Sequence, residues 1–578
     1  MPRPTIQSFQ ERFPWFMRPF ALVDVVLTPR RWAPAFLQPV ASRVEDVLVV
    51  DSRGIVRVLG RAFGWLASLR AATLRGRPRL QRLAWVVRQQ VWAAIWSFIV
   101  VMRLWPRRVP VPRDDVPIRL IPAPETYSDF QSPSLVVPSD MPREEMSLPG
   151  SFIVQALHAL QDLYPVVSEH QPEAPSDSRE RLRSAYPWLF RLVRTPPRWH
   201  PDLQQAQQRG RLLEALAVGG PYAKLLERSG PREYLIDLDD LRQYPVREGL
   251  SGLGCRIRYE DRDTTVAVKG IEHEGKLVTP GDTRWPMVER VALCSLATHT
   301  TVWRHGMQYH VGGVAPFAVA THHLPPAHPL RRLLAPHMAD TLSTNYHTHL
   351  TLRRNGFDVT GFSFSYDTIL RYYDDGARYF DIRRLDPRED VARREISTDL
   401  EYPHRPQAER YFDLFESYVV EYLTHYYPDE GSLVHDAAVR AWFDTLNRHV
   451  MKGLAGYVQN LTRASLARLC ALYMYSVSVE HEDNTMWNYG MFLPATVRED
   501  GRGESVGQVQ AVVNFELLIS SATNRLMNDA SHVALDPQGA AMMRGFQSRL
   551  ARLQETMERE PSRYWRILPR DLEASVSA

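Results

Sequence analysis

The segment ASLARLCALYMYSVSVE (464–480) carries no charge other than Arg468 and its final Glu480. A helix apolar around most of its circumference is stable only when other elements cover it on several sides, so this run requires a substantial helical body around it. RYFDLFESYVVEYLTHYY (410–427) is a second long run with apolar residues at three- and four-residue spacing. From residue 285 to the end the pattern is mainly helical. A chain of 578 residues has room for one large domain with an appendage, or for two to four domains.

Ahead of the helical part, REYLIDLDDL and RIRYEDRDTTVAVKGIEHEGKLVTPGD place short β-rich runs between Gly and Asp turn residues, which predicts a small sheet between 230 and 285. SEHQPEAPSDSRE (168–180) reads as a polar surface loop. The stretch 110–150 is interrupted so often by proline that long helices are excluded, and an extended wrap or linker is expected. The expected architecture is therefore mainly α: a basic helical extension over 1–113, a Pro-rich wrap or linker over 114–180, and a large helical domain with a small β-sheet subregion over 181–578.

The formal net charge of +4 conceals an asymmetry, because residues 1–113 hold nineteen Arg, no Lys and five acids. Within this part QQVWAAIWSFIVVM (89–102) lies between Arg88 and Arg103. A membrane-spanning helix needs about 20 apolar residues, so this segment is too short to cross a bilayer. With Trp92, Trp96 and Trp105 nearby it suits a membrane surface, where aromatic rings and guanidinium stems are both accommodated; a core or lid helix with solvated arginines is the other reading. No N-terminal secretory pattern is evident, and three cysteines give no disulfide framework. A cytoplasmic protein, peripheral at a membrane surface at most, is expected, with no nucleic-acid partner.

Nine of the nineteen histidines fall between 299 and 349. Neutral imidazole is a common ligand for iron, zinc and copper, although a solvated or hydrogen-bonded histidine is the ordinary case for any single one. His305 and His310 are five apart, about 140° of rotation on a regular α-helix, which separates them. A π-type turn would bring them together, and such turns concentrate at functional sites. His328 and His337 frame Pro329 and the pair Arg331–Arg332, and packing or hydrogen bonding is the better assignment for both. His481 closes the apolar run, where a lone histidine is more often a core residue than a ligand.

The order of these pieces from about 210 to 578 resembles the lipoxygenase family. That family carries H-x4-H-x4-H on a long helix, then an HP pair, then a further His; here His305, His310, His328 and His337 are in register, with Thr300 in place of the first. WPMVER (285–290), FAVATHHLPPAHPLRRLLAPH, DLFESYVVEYLTHYY and the ending RYWRILPRDLEASVSA match the family in order. The resemblance implies a mainly α lipoxygenase-like catalytic domain whose metal ligands are His305, His310, His481 and the C-terminal carboxylate of Ala578. Thr485 falls where the family places a further ligand, and Tyr489 follows His481 at the family's spacing. QAVVNF (510–515) offers a rival alignment, with Gln510 where histidine belongs, and imidazole is the better ligand of the two.

Thr348 and Leu352 fall at family positions beside the oxygen path, and Asn488 where a supporting amide is common. His328 and His337 stay structural. The implied cofactor is non-haem iron, with manganese as a substitute, and the implied partners are a polyunsaturated fatty acid and O2. The implied reaction takes hydrogen from the methylene of a 1,4-diene and adds dioxygen to give a hydroperoxide. A lipoxygenase-like hydroperoxide isomerase or epoxyalcohol synthase, an oxidase of another unsaturated metabolite, and a metal-free lipid-binding scaffold are the competing readings. The family's usual N-terminal β-sandwich is not recognisable in 1–113, whose arginines and tryptophans suit a membrane-contacting cover.

Overall fold

The computed structural model describes residues 200–342, 361–449, 454–481, 493–509, 524–561 and 566–576, together with 109–113, 120–122, 136–138, 173–185 and a few isolated positions. The basic extension, apart from 109–113 and one isolated residue, and most of the Pro-rich stretch lie outside the described residues. Within the Pro-rich stretch, β1 (Leu120–Pro122) and β2 (Val136–Pro138) form a two-stranded antiparallel ribbon. Val109 and Ile118 are buried in the main helical core, and their carbonyls are held by His532 and His323.

The stretch expected as a surface loop departs from that expectation at its end. Helix α1 (Ser178–Ala185) starts there, and its Arg181 is buried in an ion pair with Glu504, whose other carboxylate oxygen accepts from the Ala495 and Thr496 amides. Polarity suggested solvent for 168–180, yet Ser178 at its end is buried; Arg181, just beyond it, can be buried because its charge is paired.

Helix α2 (Leu212–Val218) leads into the expected small sheet, five antiparallel strands in sequential order: β3 (Glu227–Gly230), β4 (Glu233–Asp237), β5 (Arg256–Arg262), β6 (Thr265–His273) and β7 (Lys276–Val278). Period-two alternation sends Tyr234 and Ile236 of β4 and Ile257 and Tyr259 of β5 to the buried face, where they pair directly across the strands. The β6–β7 turn is Glu274–Gly275, both at positive φ, the twist a two-residue hairpin requires.

Beyond the sheet the chain is helical. A long rod starts with α3 (Trp285–Thr298), which has Pro286 in its first turn, continues as a π-helix over His299–Val314, and ends as α4 (Ala315–His322). Then come α5 (Pro329–Leu334), α6 (Tyr366–Tyr379), α7 (Pro387–Arg393), α8 (His404–Tyr426), α9 (Arg463–Tyr475) and α10 (Pro537–Arg559). The two apolar runs are α8 and α9. α9 passes directly into a second π-helix, Ser476–Glu480, that delivers His481.

The apolar interior has two parts, one between the sheet and α3, the other around α8, α9 and α10. The first π-helix joins them: Val302 and Trp303 belong to the sheet side and Val314 to the helical side. The histidines on it therefore lie where the two cores meet. Among the described residues, no helix is long and apolar enough to cross a membrane.

Candidate metal centre

The i→i+5 winding of His299–Val314 turns less per residue than an α-helix, so it narrows the angular separation between positions 305 and 310. At sixteen residues it is longer than the usual single-turn bulge. The second π-helix ends on His481, so both histidine-bearing helices adopt the i→i+5 winding at the point where they cross.

At that crossing, His305 Nε2 lies 3.1 Å from His481 Nε2, with the ring centroids 5.0 Å apart and tilted by 32°. Both side chains are buried. Two nitrogens bound at about 2.1 Å to neighbouring positions of one ion sit about 3 Å apart, so this separation fits shared ligation of a metal ion. His310 is on the same π-helix, but its side chain is outside the described residues. Thr348, Leu352, Thr485, Asn488, Tyr489, Gln510 and Ala578 also lie outside them. Among the described residues no group of three or more His, Cys, Asp or Glu side chains gathers in a way that could hold an ion.

Close packing fixes the first π-helix. A Cβ on Gly306 would lie 2.0 Å from Tyr373 Oη, and one on Gly376 would lie 1.9 Å from Trp303 Nε1. The two glycines let α6 and the π-helix approach within a distance no larger side chain allows. On the adjoining turn, His299 stacks on Trp303 with centroids 5.1 Å apart, and its Nδ1 is 2.7 Å from Tyr372 Oη. Burial, reinforced by Arg304 and Arg384, pushes the His299 pKa down to about 3, so this ring is neutral.

The other two sequence-predicted histidines have partners of a different kind. His328 is the N-cap of α5: its Nδ1 accepts from the Leu330 amide, its Nε2 faces Asp436 at 3.2 Å, and Pro329 occupies the first helical turn. His337 donates from Nδ1 to the Ala574 carbonyl at 2.8 Å. Around it Asn524 Nδ2 donates to Pro336 O and to Ser575 Oγ, Ser575 Oγ donates to Ala339 O, and Val576 is fully buried. These contacts dock the C-terminal tail into the core up to two residues before Ala578.

Burial, opposed by the hydrogen bond to Ala574, pushes the His337 pKa down to about 4. An unfolded chain holds its histidines near 6.5, so below that pH it binds more protons than the folded state. The stability that neutral His337 contributes is thus complete above about 6.5 and is lost as pH falls toward 4, roughly 2 kcal/mol of it by pH 5. In urea unfolding, His337→Asn, which keeps a donor for Ala574, is expected to flatten the decline between pH 7 and 5. Parallel declines for the two proteins would rule this out.

Sequence reading missed the charged residues beside the histidine pair. Arg304 precedes His305, Glu480 precedes His481, and the two form a buried ion pair at 3.6 Å. A carboxylate ending an otherwise apolar helix was the available signal.

Comparison with known proteins finds the same fold. No family model matches the chain. A putative linoleate 9S-lipoxygenase of rice is 26% identical over 353 residues, covering 53% of this chain and 40% of the rice protein. A mouse hydroperoxide isomerase is 23% identical over 185 residues, 31% of this chain and 26% of its own. The match therefore spans less than half the length of these curated relatives. Among solved structures, a coral 8R-lipoxygenase superposes with a TM-score of 0.65 at 12% identity, covering 80% of this chain and 79% of that one. A lipoxygenase variant crystallised with arachidonate gives 0.64 at 12% identity, covering 80% of each chain. The chain therefore has the fold of the lipoxygenase catalytic domain over four-fifths of its length and is similar in sequence to lipoxygenases over part of it.

Proposed function

We propose that this protein is a non-haem iron dioxygenase that inserts O2 into a polyunsaturated fatty acid bearing a 1,4-diene and releases a hydroperoxide. The observation that carries the reading is the buried pair of imidazoles, His305 and His481, with Nε2 atoms 3.1 Å apart. In this reading His305, His310, His481 and the carboxylate of Ala578 hold the ion, with Thr485 at a further position. Iron held in a mixed imidazole and carboxylate shell supplies the one-electron chemistry that a 1,4-diene and dioxygen require.

The chain's own residues supply the rest. His305 and His481 would present nitrogen lone pairs to the ion, and their burial keeps bulk water from the pair. His337 and Asn524 hold the tail at Ala574 and Ser575, a few residues before the carboxylate that this reading makes a ligand. Thr348, Leu352 and Asn488 would shape the paths of substrate and oxygen. The arginine- and tryptophan-rich residues 1–113 would cover the channel mouth of a cytoplasmic protein and touch anionic lipid. Cosedimentation with anionic liposomes at low salt is expected to disappear when 1–113 are removed, and unchanged binding would remove that role.

The relative named hydroperoxide isomerase, together with threonine at position 485, favours a second reading in which a preformed fatty-acid hydroperoxide is rearranged. An oxygen electrode separates the two. Uptake with linoleic or arachidonic acid, accompanied by conjugated-diene absorbance, supports the dioxygenase. Consumption of an added hydroperoxide without oxygen uptake supports the isomerase. Inertness toward both leaves a lipid-binding scaffold.

A further inference from the structure

A carboxylate at the end of an apolar helix is costly to bury unless cations and hydrogen bonds meet it. Glu480 is such a group. It is 1% exposed, forms ion pairs with Lys224 Nζ and with Arg304 Nη2, and accepts a hydrogen bond from Tyr475 Oη at 2.8 Å. Lys224 is itself buried and sits in the single-turn helix Pro221–Leu225, just before the sheet.

That short segment is gripped along its backbone. Arg304 Nη1 donates to Pro221 O at 2.6 Å, Arg394 Nη1 donates to Ala223 O and Leu226 O, and Tyr402 Oη donates to Ala223 O. Arg394 is fixed in turn by Asp390 at 2.9 Å. Lys224 therefore has little freedom to follow Glu480 if the helix carrying it moves.

The register is the informative feature. Arg304 and Glu480 each stand one residue before a site histidine, so the ion pair Arg304–Glu480 and the imidazole pair His305–His481 bridge the same two helices at successive positions. A slip of either helix breaks both pairs together. We propose that Lys224, Arg304 and Glu480 form a buried charged clasp that sets the register of the two histidine-bearing helices, with Lys224 a positioning residue acting on His481 through Glu480. The consequence for metal binding rests on the iron reading above; the clasp itself does not.

The test uses full-length, metal-free protein as wild type, Lys224→Met, Lys224→Arg and Glu480→Gln. Hydrogen exchange followed by mass spectrometry is expected to speed at least tenfold in peptides covering both 299–314 and 476–481 of Lys224→Met and Glu480→Gln. Lys224→Arg, which keeps the cation, restores protection. Faster exchange confined to 221–226 would overturn the proposal, as would equal effects of Met and Arg at 224.

Cobalt(II) titration then reads the site. Supporting tissue around metal ligands commonly matters 10–100-fold in affinity, so Lys224→Met is expected to weaken cobalt binding by that factor and to alter the visible spectrum. Wild-type affinity and spectrum in a variant that merely melts earlier would reduce the clasp to a structural brace. If wild type takes up no cobalt, the iron reading fails while the exchange data still decide whether the clasp sets the register.

Discussion

His481→Ala protein is expected to consume no oxygen above background with a polyunsaturated fatty acid, and His305→Ala to behave the same way. Each imidazole is one half of a buried pair whose nitrogens are 3.1 Å apart, and neither is replaceable from the described surroundings. Loss of a residue that only supports a metal ligand costs about 10–100-fold, so loss of a ligand should exceed a hundredfold. The fold should survive, because alanine removes a polar ring without stranding a charge. Oxygen-electrode rates set beside far- and near-ultraviolet circular dichroism check both halves of the statement. A His481→Ala protein with native spectra and more than a tenth of wild-type uptake would show that this histidine is not a ligand.

The second large effect concerns stability, at a residue outside the histidine pair. Asp386 is fully buried and serves two purposes. Its Oδ2 accepts from Arg468 Nε and Nη2, at 3.0 and 2.6 Å, and from Tyr457 Oη at 2.8 Å. Its Oδ1 accepts from the Arg388 and Glu389 amides and so caps α7, which opens on Pro387. Arg468 is 30% exposed and keeps Glu389, so the loss is that of charge-assisted hydrogen bonds and a helix cap, and Asp386→Ala should cost about 2–4 kcal/mol by urea unfolding. Asp386→Asn retains an oxygen for the cap while losing the charge, and about half the effect is expected. Equal losses for Ala and Asn would mean that the cap contributes nothing; no loss for either would contradict the buried pair.

How far the sequence revealed this molecule depends on the distance over which each feature is encoded. Helices α8 and α9 were legible because burial repeats every three or four residues within one stretch. The sheet was legible because Tyr234, Ile236, Ile257 and Tyr259 alternate with polar neighbours and Glu274–Gly275 supplies a hairpin turn. The π winding followed from a local conflict between the five-residue spacing of His305 and His310 and the pitch of an α-helix, read together with nearby glycines.

Long-range pairings left no such trace. Lys224 and Glu480 meet only after the sheet and the helices have assembled, and neither residue type announces a partner. Gly306 gives no hint that Tyr373 will close over it, and His337 none that it will hold Ala574. The end of the 168–180 stretch misled because a polar run is ordinarily solvated, whereas here a helix starts at Ser178 and the next turn buries Arg181 against Glu504. Assignments that fall on Thr348, Leu352, Thr485, Asn488 and Ala578 rest on register with the family and lie outside the described residues.

The central claim is that His305 and His481 share one iron ion. Elemental analysis of tag-free protein with its native C-terminus, run beside His481→Ala and Gln510→Ala, addresses it most directly. The account predicts about one iron per chain in wild type and in Gln510→Ala, and none in His481→Ala. Iron retained by His481→Ala but lost with Gln510→Ala, or wild-type protein that holds no transition metal, would contradict it.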